Sequence, residues 1–220
     1  PHVMARRQRQ MCIRDRRIAR RTIAALGYNE CVTYSFIDTE SAKLFGGGAD
    51  ATMLSNPISS EMSHMRPSLL PGLLQAAARN QARGILDMAL FEVGAVWHGG
   101  EPDDQETQAS GVLIGSTGPK DVYNTRRAVD IFDSKADVEM VLNALGSPNK
   151  VQFQRGLSDW WHSGRSARMA LGKTSLAVFG EIHPKVLAAL DVKGPVVAFV
   201  VHTKDIPAPK VKSATRSALH

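Results

Sequence analysis

Residues 88–97 read MALFEVGAVW, and this stretch decides the fold. Its β-branched and aromatic content predicts a long strand. A Gly99-Gly100 turn with an acidic run follows, and the apolar residues 109–115 predict a second strand. The two segments therefore predict an antiparallel pair.

Further strands are predicted before and after this pair, at 31–36, 151–154, 166–171, 175–182 and 195–202. The last of them reads PVVAFVVH, a continuous apolar run that suits a central strand buried on both faces. Strands outnumber helices and often follow one another along the chain. The pattern predicts an α+β fold with a largely antiparallel sheet.

Apolar residues at helical spacing predict two longer helices, over 15–26 and 69–83. Ser68 can cap the second, and Pro71 lies in its first turn, where a missing N–H costs little. Three more helices are expected: a short one capped by Thr39, one opened by Ser134 and Asp137, and a brief one from His183-Pro184. Irregular structure is predicted over 46–48 and 116–128.

The formal charge of +6 belongs to one end of the chain. Residues 1–21 hold eight of the 27 basic residues and one of the 21 acidic ones, so the rest of the chain is nearly neutral. We interpret residues 1–16 as a basic arm, which is either an artefact or the end of a preceding domain. A basic arm can bind phosphate backbones, so a nucleic-acid-binding module is one alternative function.

Composition excludes several other classes of protein. No apolar run approaches the ~18 residues that a membrane helix needs, so no membrane partner is expected. Cys12 and Cys31 give neither a disulfide framework nor metal spacing, which indicates a reducing cytoplasm. Residues 208–220 are rich in proline and lysine at their start and predict a linker to a further domain.

The residues alone show no active site. The nucleotide, hydrolase and zinc-protease motifs are absent. Each of His64, His98 and His162 could be a general base or a structural histidine. Asp103-Asp104 could bind a metal or simply be solvated, and Trp160-Trp161 could stack bases or pack in the core.

Several segments, in this order and spacing, resemble one family, the core domain of bacterial phenylalanyl-tRNA synthetase β subunits. The resemblance covers residues 17–207. It rests on GYNECVTYSF (27–36), NPISSEMSHMRPSLLPGLL (56–74), NQAR (80–83), LFEVG (90–94), VDIFDSKADVE (129–139), HSGRSA (162–167) and FGEIHPKVL (179–187).

The resemblance implies a class II aminoacyl-tRNA synthetase-like core, with an antiparallel sheet flanked by helices. It also implies an α2β2 enzyme that joins phenylalanine to its tRNA with ATP and Mg2+, the active site lying in the α subunit. This chain would supply the non-catalytic core that packs against α, and would reach tRNA through the holoenzyme. A self-sufficient class II ligase is the alternative.

We expect this core to be non-catalytic, because arginine is missing at the two positions where class II synthetases bind phosphate. Class II sites grip phosphate with an arginine at a strand end, since the guanidinium fork binds oxygen pairs. The comparable strand here is followed by His98, and the comparable glycine-rich segment 178–185 has one glycine and no arginine. We therefore expect no catalytic, cofactor-binding or metal-binding residue on this chain.

The signature residues are interpreted as structural. Residues before proline avoid helix, so Asn56-Pro57 and Arg66-Pro67 would fix turns, and Gly164 and Gly180 would permit tight backbone positions. Arg66 and Arg165 would form buried or inter-subunit ion pairs, or lie on the surface. The complete set is Asn56, Pro57, Glu61, Arg66, Pro67, Pro71, Gly72, Glu92, Gly94, Asp130, Asp133, Gly164, Arg165, Gly180, Glu181, His183 and Pro184.

Overall fold

The structure is a computed structural model that describes residues 2–118, 122, 126–148 and 150–207, with side chains from residue 13 onward. Its helices are α1 His2–Ala25, α2 Thr39–Leu44, α3 Leu70–Ala82, α4 Ile131–Ala144 and α5 Pro184–Ala189. Its strands are β1 Asn29–Glu30, β2 Phe36–Ile37, β3 His64–Met65, β4 Met88–Trp97, β5 Gln105–Ile114, β6 Gln152–Gln154, β7 Trp161–Leu171, β8 Thr174–Ile182 and β9 Val196–His202. The predicted linker over 208–220 and part of the irregular segment 116–128 lie outside the described residues.

Seven strands form one sheet in the order β1-β4-β5-β9-β8-β7-β6. β1 runs parallel to β4, and every other neighbouring pair is antiparallel. Strands β2 and β3 form a small separate pair. The predicted α+β fold and the antiparallel pairing of β4 with β5 are confirmed.

Strand β9 lies in the middle of the sheet, as its apolar run predicted. The residues from Val196 to Val201 are all buried, because helices cover both faces of the sheet. On one face α3 and α5 pack against the sheet, with Leu73, Val112 and Val200 in the shared core. On the other face α1 and α4 pack around Phe91 and Phe199.

The structure corrects three predicted helix starts. Asp38 caps α2 in place of Thr39, since its carboxylate accepts a hydrogen bond from the Ser41 amide at 2.8 Å. Asp130 caps α4 in place of Ser134, whose hydroxyl instead donates to the Ile131 carbonyl. Helix α1 begins at His2, well before residue 15, so the predicted arm has a helical backbone. The domain boundary at residue 16 stays a prediction.

The strand predicted over 31–36 is wrong for most of its length. Cys31 extends the pairing of β1 by one hydrogen bond from its amide to the Phe91 carbonyl, at 2.7 Å, and the chain then leaves the sheet. Thr33 turns inward while Val32 and Tyr34 are 89% and 72% exposed. β-branched and aromatic residues favour strands, but here tertiary contacts outweigh that preference.

Candidate functional site

A buried ion pair holds the loop between β1 and β2 against the sheet. The Arg66 Nη1 and Glu92 Oε1 atoms are 2.8 Å apart, and each side chain is only 5% exposed. The guanidinium also donates to the Ala95 carbonyl at 2.9 Å and to the Thr33 hydroxyl at 2.9 Å. Thr33 in turn donates to Glu92 Oε2 at 2.6 Å. The charges are thus compensated inside the protein, as buried ions require.

Two signature glycines provide space for this Arg66–Glu92–Thr33 network. A Cβ atom on Gly94 would lie 2.5 Å from the Arg66 guanidinium, and one on Gly72 would lie 2.4 Å from the Thr33 hydroxyl. Pro67 and Pro71 are buried beside it, in the turn before α3 and in its first turn. The N-cap position of α3 is Leu69 and not the predicted Ser68, whose hydroxyl accepts a hydrogen bond from the Leu70 amide at 3.2 Å.

A second group of signature residues opens α4. The Asp130 carboxylate accepts from the Phe132 amide at 2.7 Å, and the Asp133 carboxylate accepts from the Asp130 amide at 2.8 Å. This reciprocal arrangement is a capping box. Arg127 pairs with Asp133, mainly by hydrogen bonding, and this lowers the pKa of the Asp133 carboxyl.

A third group lies where β7 meets β8. A Cβ atom on Gly180, which has a φ of +151°, would lie 2.4 Å from Ser166 Cβ, so a tight position exists there. Gly164 does not share it: its nearest neighbour would be 3.8 Å away, and the expectation of a tight position is wrong for this glycine. Arg165 forms an ion pair with Glu181 at the surface: its Nε atom lies 2.8 Å from Glu181 Oε2, and its Nη2 atom donates to Glu181 Oε1 at 3.0 Å.

His183 caps α5, where its Nδ1 atom accepts from the Lys185 amide at 3.1 Å and Pro184 takes the first helical position. The remaining signature residues lie apart from these groups. Asn56, Pro57 and Glu61 are exposed in the segment between α2 and β3. Most signature residues therefore lie in three groups of contacting residues, whereas Asn56, Pro57 and Glu61 lie in one exposed loop.

A cavity of about 310 Å3 opens over the middle of the sheet, on the face that carries α3. Its walls include the side chains of Phe45 and Trp160, whose rings are 5.9 Å apart, and Trp161 is buried beside them. Trp160 and Trp161 therefore pack against neighbouring side chains of the protein. The other lining residues are Gly46, Pro67, Ser68, His98, Gln108, Gly156, Leu157, Ser158, Arg168, Ser175, Val178, Val200 and His202.

Glu106 joins two histidines at the edge of this cavity. Its Oε1 atom lies 3.1 Å from His202 Nδ1 and 3.2 Å from His98 Nε2. Burial would raise the pKa of the Glu106 carboxyl, but hydrogen bonds from His202, His98 and Gln108 outweigh it and hold that pKa well below its ordinary value. The hydrogen bond to Glu106 raises the pKa of His98.

The three histidines considered as general bases all have structural partners. His64 is buried and bonds to Thr39 and Ser63, at 3.2 and 3.1 Å. His162 accepts from the Gly164 amide at 3.2 Å, and His98 is bound to Glu106.

Asp103-Asp104, which the sequence offers as a metal site, and a second group of side chains that the fold brings together both contain potential metal ligands. Asp103 and Asp104 lie in an exposed 3-10 turn, where Asp104 accepts from the Glu101 amide at 3.1 Å. Donor atoms of Glu106, His202 and Asp205 lie within 4.8 Å of one another, a spacing at which a metal ion can be held. The Glu106 Oε1 atom already accepts hydrogen bonds from neighbouring side chains. That this chain has no metal-binding residue stays a prediction.

The two strand ends compared with phosphate-gripping elements carry no arginine in the structure. β4 ends at Trp97 and is followed by His98, which is bound to Glu106, and the segment that leads from the end of β8 into α5 contains no arginine in its sequence. A triphosphate needs several cations around it. Arg168 of β7 reaches the cavity from another direction, and sequence reasoning missed it because only folding brings β7 under the cavity. Arg168 is the one arginine among the lining residues of this cavity, and a single guanidinium does not fit a triphosphate.

Among the described residues, no helix combines the length and apolar character needed to cross a bilayer.

Comparisons with known proteins agree on one family. A family model described as the phenylalanyl tRNA synthetase beta chain CLM domain matches residues 1–202. The phenylalanine–tRNA ligase beta subunit of Ruegeria pomeroyi is 62% identical over 218 residues, which make up 99% of this chain and 27% of that protein. That of Cereibacter sphaeroides is 61% identical over 91% of this chain and 25% of that protein. The chain thus spans about a quarter of these relatives.

The fold has a solved counterpart in a pyrrolysyl-tRNA synthetase from Desulfitobacterium hafniense. The two share a TM-score of 0.65 at 15% identity, over 87% of this chain and 66% of that one. At this identity the likeness concerns the fold alone, and it confirms the predicted class II synthetase-like core. With the family model matching nearly the whole chain, the chain belongs to the phenylalanyl-tRNA synthetase β chain family and carries its CLM domain.

Proposed function

We propose that this chain is the non-catalytic core of the β subunit of a phenylalanine–tRNA ligase. In this role it supports an α subunit, within an α2β2 assembly, during ATP-dependent charging of tRNA with phenylalanine. The inference that this core is non-catalytic rests on the His98–Glu106 pair after the end of β4. A class II active site would need a phosphate-binding guanidinium at that position. ATP and Mg2+ accordingly belong to the α subunit in this proposal.

An exposed apolar surface supports the scaffold role. Val32 and Tyr34 project from the loop that the Arg66–Glu92–Thr33 network holds, and Phe36 begins β2 directly after it. Their exposed fractions are 89%, 72% and 37% in the order Val32, Tyr34, Phe36. They line a depression together with Met62 and Glu61. Aromatic and apolar side chains grouped in this way are typical of protein interfaces. The α subunit is the partner that we assign to this Val32–Tyr34–Phe36 surface.

The signature residues acquire a role in this proposal. Arg66, Glu92 and Gly72 surround Thr33, which lies between Val32 and Tyr34 in sequence, and Gly94 lies against the Arg66 guanidinium. The network would therefore preorganise the docking loop, which reduces the entropy lost when the subunits associate. The same proposal places the protein in the cytoplasm, since tRNA charging takes place there.

Co-expression with an α subunit followed by size-exclusion chromatography tests this function. The wild-type chain should co-elute with α, whereas Val32→Asp and Tyr34→Asp should separate from it. Phe132→Asp is the matched control, because Phe132 is 70% exposed on α4 and lies outside the proposed surface. Failure of the wild type to co-elute, or equal behaviour of Tyr34→Asp and Phe132→Asp, would contradict the proposal.

The alternatives make different predictions. A self-sufficient ligase would form phenylalanyl adenylate from ATP without any partner, and we expect none. A nucleic-acid-binding module would lose tRNA affinity, and part of the salt dependence of that affinity, when residues 1–16 are deleted. We expect both quantities to stay unchanged.

A further inference from the structure

Buried polar atoms without hydrogen-bond partners collect under one part of the sheet. Among the described residues, five side-chain atoms are buried and unpartnered, and four of them belong to Gln108, Ser110, Arg168 and Ser175. Three of these residues line the cavity described above. Buried polar atoms in folded proteins are nearly always hydrogen-bonded to protein or to ordered water, so such a concentration calls for bound water or a bound ligand.

Strand register places Arg168, Ser110 and Gln108 on a common face. Arg168 lies opposite Val178, Val178 opposite Val200, and Val200 opposite Ser110. Directly opposed residues share a face of the sheet, so this row runs from the guanidinium across an apolar middle to a buried hydroxyl. Gln108 lies two positions before Ser110 and therefore points to the same side. The polar atoms thus stand at opposite ends of an apolar strip.

Each end of the strip selects a chemical group. The Arg168 guanidinium donates to Gln154 at 2.6 Å, has no carboxylate partner among the described residues, and keeps its Nε donor free. That end favours an anion. At the other end Gln108 donates its amide nitrogen to Glu106, which fixes the amide and leaves its carbonyl oxygen as an unused acceptor. That end therefore favours a ligand group that donates a hydrogen bond, because the Gln108 oxygen can accept one and the Glu106 carboxylate lies beside it.

We propose that this cavity binds a small organic carboxylate that carries an amino or hydroxyl group at its far end. The carboxylate meets Arg168, the donor meets Gln108, and the apolar body lies over Val178 and Val200 against Trp160. β7 and β5 are three strand spacings apart, about 14 Å between backbones before the side chains reach inward. The ligand is therefore elongated. This binding is independent of the subunit role proposed above.

Titration calorimetry on the full-length subunit, purified with its partner, tests the site with 4-aminobenzoate as the probe. We expect saturable binding at one site on this chain, with a change in tryptophan fluorescence. Benzoate lacks the donor and 4-aminobenzamide lacks the charge, so each should bind about tenfold more weakly or worse. No saturable binding by the wild type would show that the polar atoms are only hydrated and would overturn the proposal.

Variants locate the probe. Arg168→Gln should weaken binding of 4-aminobenzoate roughly 10- to 100-fold, the usual effect of losing a charged hydrogen bond. Arg165→Gln is the matched control, since Arg165 lies on the same strand but outside the cavity, and it should bind as the wild type does. Val178→Phe, which fills the cavity without removing charge, should abolish binding in a protein whose thermal unfolding confirms folding. Equal affinity of the two arginine variants would place the probe elsewhere and overturn the proposal.

Discussion

The guanidinium of Arg66 and the carboxylate of Glu92 lie 2.8 Å apart in the protein interior, although 26 positions separate them in sequence. Arg66 precedes α3 and Glu92 lies in the middle of β4, so their contact ties the turn before a core helix to the sheet. Thr33 bonds to both side chains and extends the tie to the loop after β1.

Removing one partner of this pair should destabilise the protein strongly. Arg66→Met leaves the Glu92 carboxylate buried and uncompensated, and we expect a loss of about 3–5 kcal/mol in the free energy of unfolding. Urea denaturation measures it. The double variant Arg66→Met/Glu92→Leu should recover most of that loss, because it removes both charges. A double variant no more stable than the single one would show that the ion pair is not the cause.

The two signature glycines of β7 and β8 should differ sharply in their tolerance of alanine. Gly180→Ala forces a Cβ into Ser166 at a positive φ, and should cost roughly 2–4 kcal/mol. Gly164→Ala adds only an ordinary van der Waals contact, with His162 at 3.8 Å, and should change stability by less than about 0.5 kcal/mol. Thermal unfolding of both variants provides the comparison, and similar melting temperatures would contradict the packing at Gly180.

The Glu106 carboxylate should make stability depend on acid pH. Its folded pKa lies below the ordinary value of 4.5, so its contribution is complete above that pH and is lost as pH falls toward the folded value. The difference in unfolding free energy between wild type and Glu106→Gln should therefore shrink from pH 7 to pH 3. Urea denaturation across this range measures it, and a constant difference would contradict the prediction.

His98 should contribute with the opposite sign. Its folded pKa lies above 6.5, so the stabilisation is complete below pH 6.5 and disappears as pH rises through the folded pKa. Because His98 is half-exposed, we expect His98→Asn to cost under about 1 kcal/mol at pH 5.5 and almost nothing at pH 8.5. A cost that grows with pH would argue against the pairing with Glu106.

The capping box of α4 gives a fifth structural test. Asp130→Ala removes the acceptor for the Phe132 amide and should cost about 1 kcal/mol, whereas Asp130→Asn should cost less, since asparagine also caps well. Chemical denaturation of the two variants is the measurement. Ser134→Ala must leave the helix start in place, since Asp130 and not Ser134 is the cap.

Local sequence signals predicted most elements of the fold. The β-branched and aromatic residues of β4, the continuous apolar run of β9 and the apolar residues at helical spacing in α3 are local features of the sequence, and the structure has all three elements nearly as predicted. The prediction of a strand after Cys31 is wrong. Thr33 donates a hydrogen bond to the Glu92 carboxylate, 59 positions away, and this contact holds the segment outside the sheet despite its β-forming residues.

By itself the sequence determined the family and the fold class, since hydrophobic period and ordered motifs are properties of the chain. Only the tertiary structure decided which side chains meet. It paired Arg66 with Glu92, placed His98 on Glu106 and brought Arg168 beneath the cavity, because strand order in the sheet, and not distance along the chain, sets these contacts.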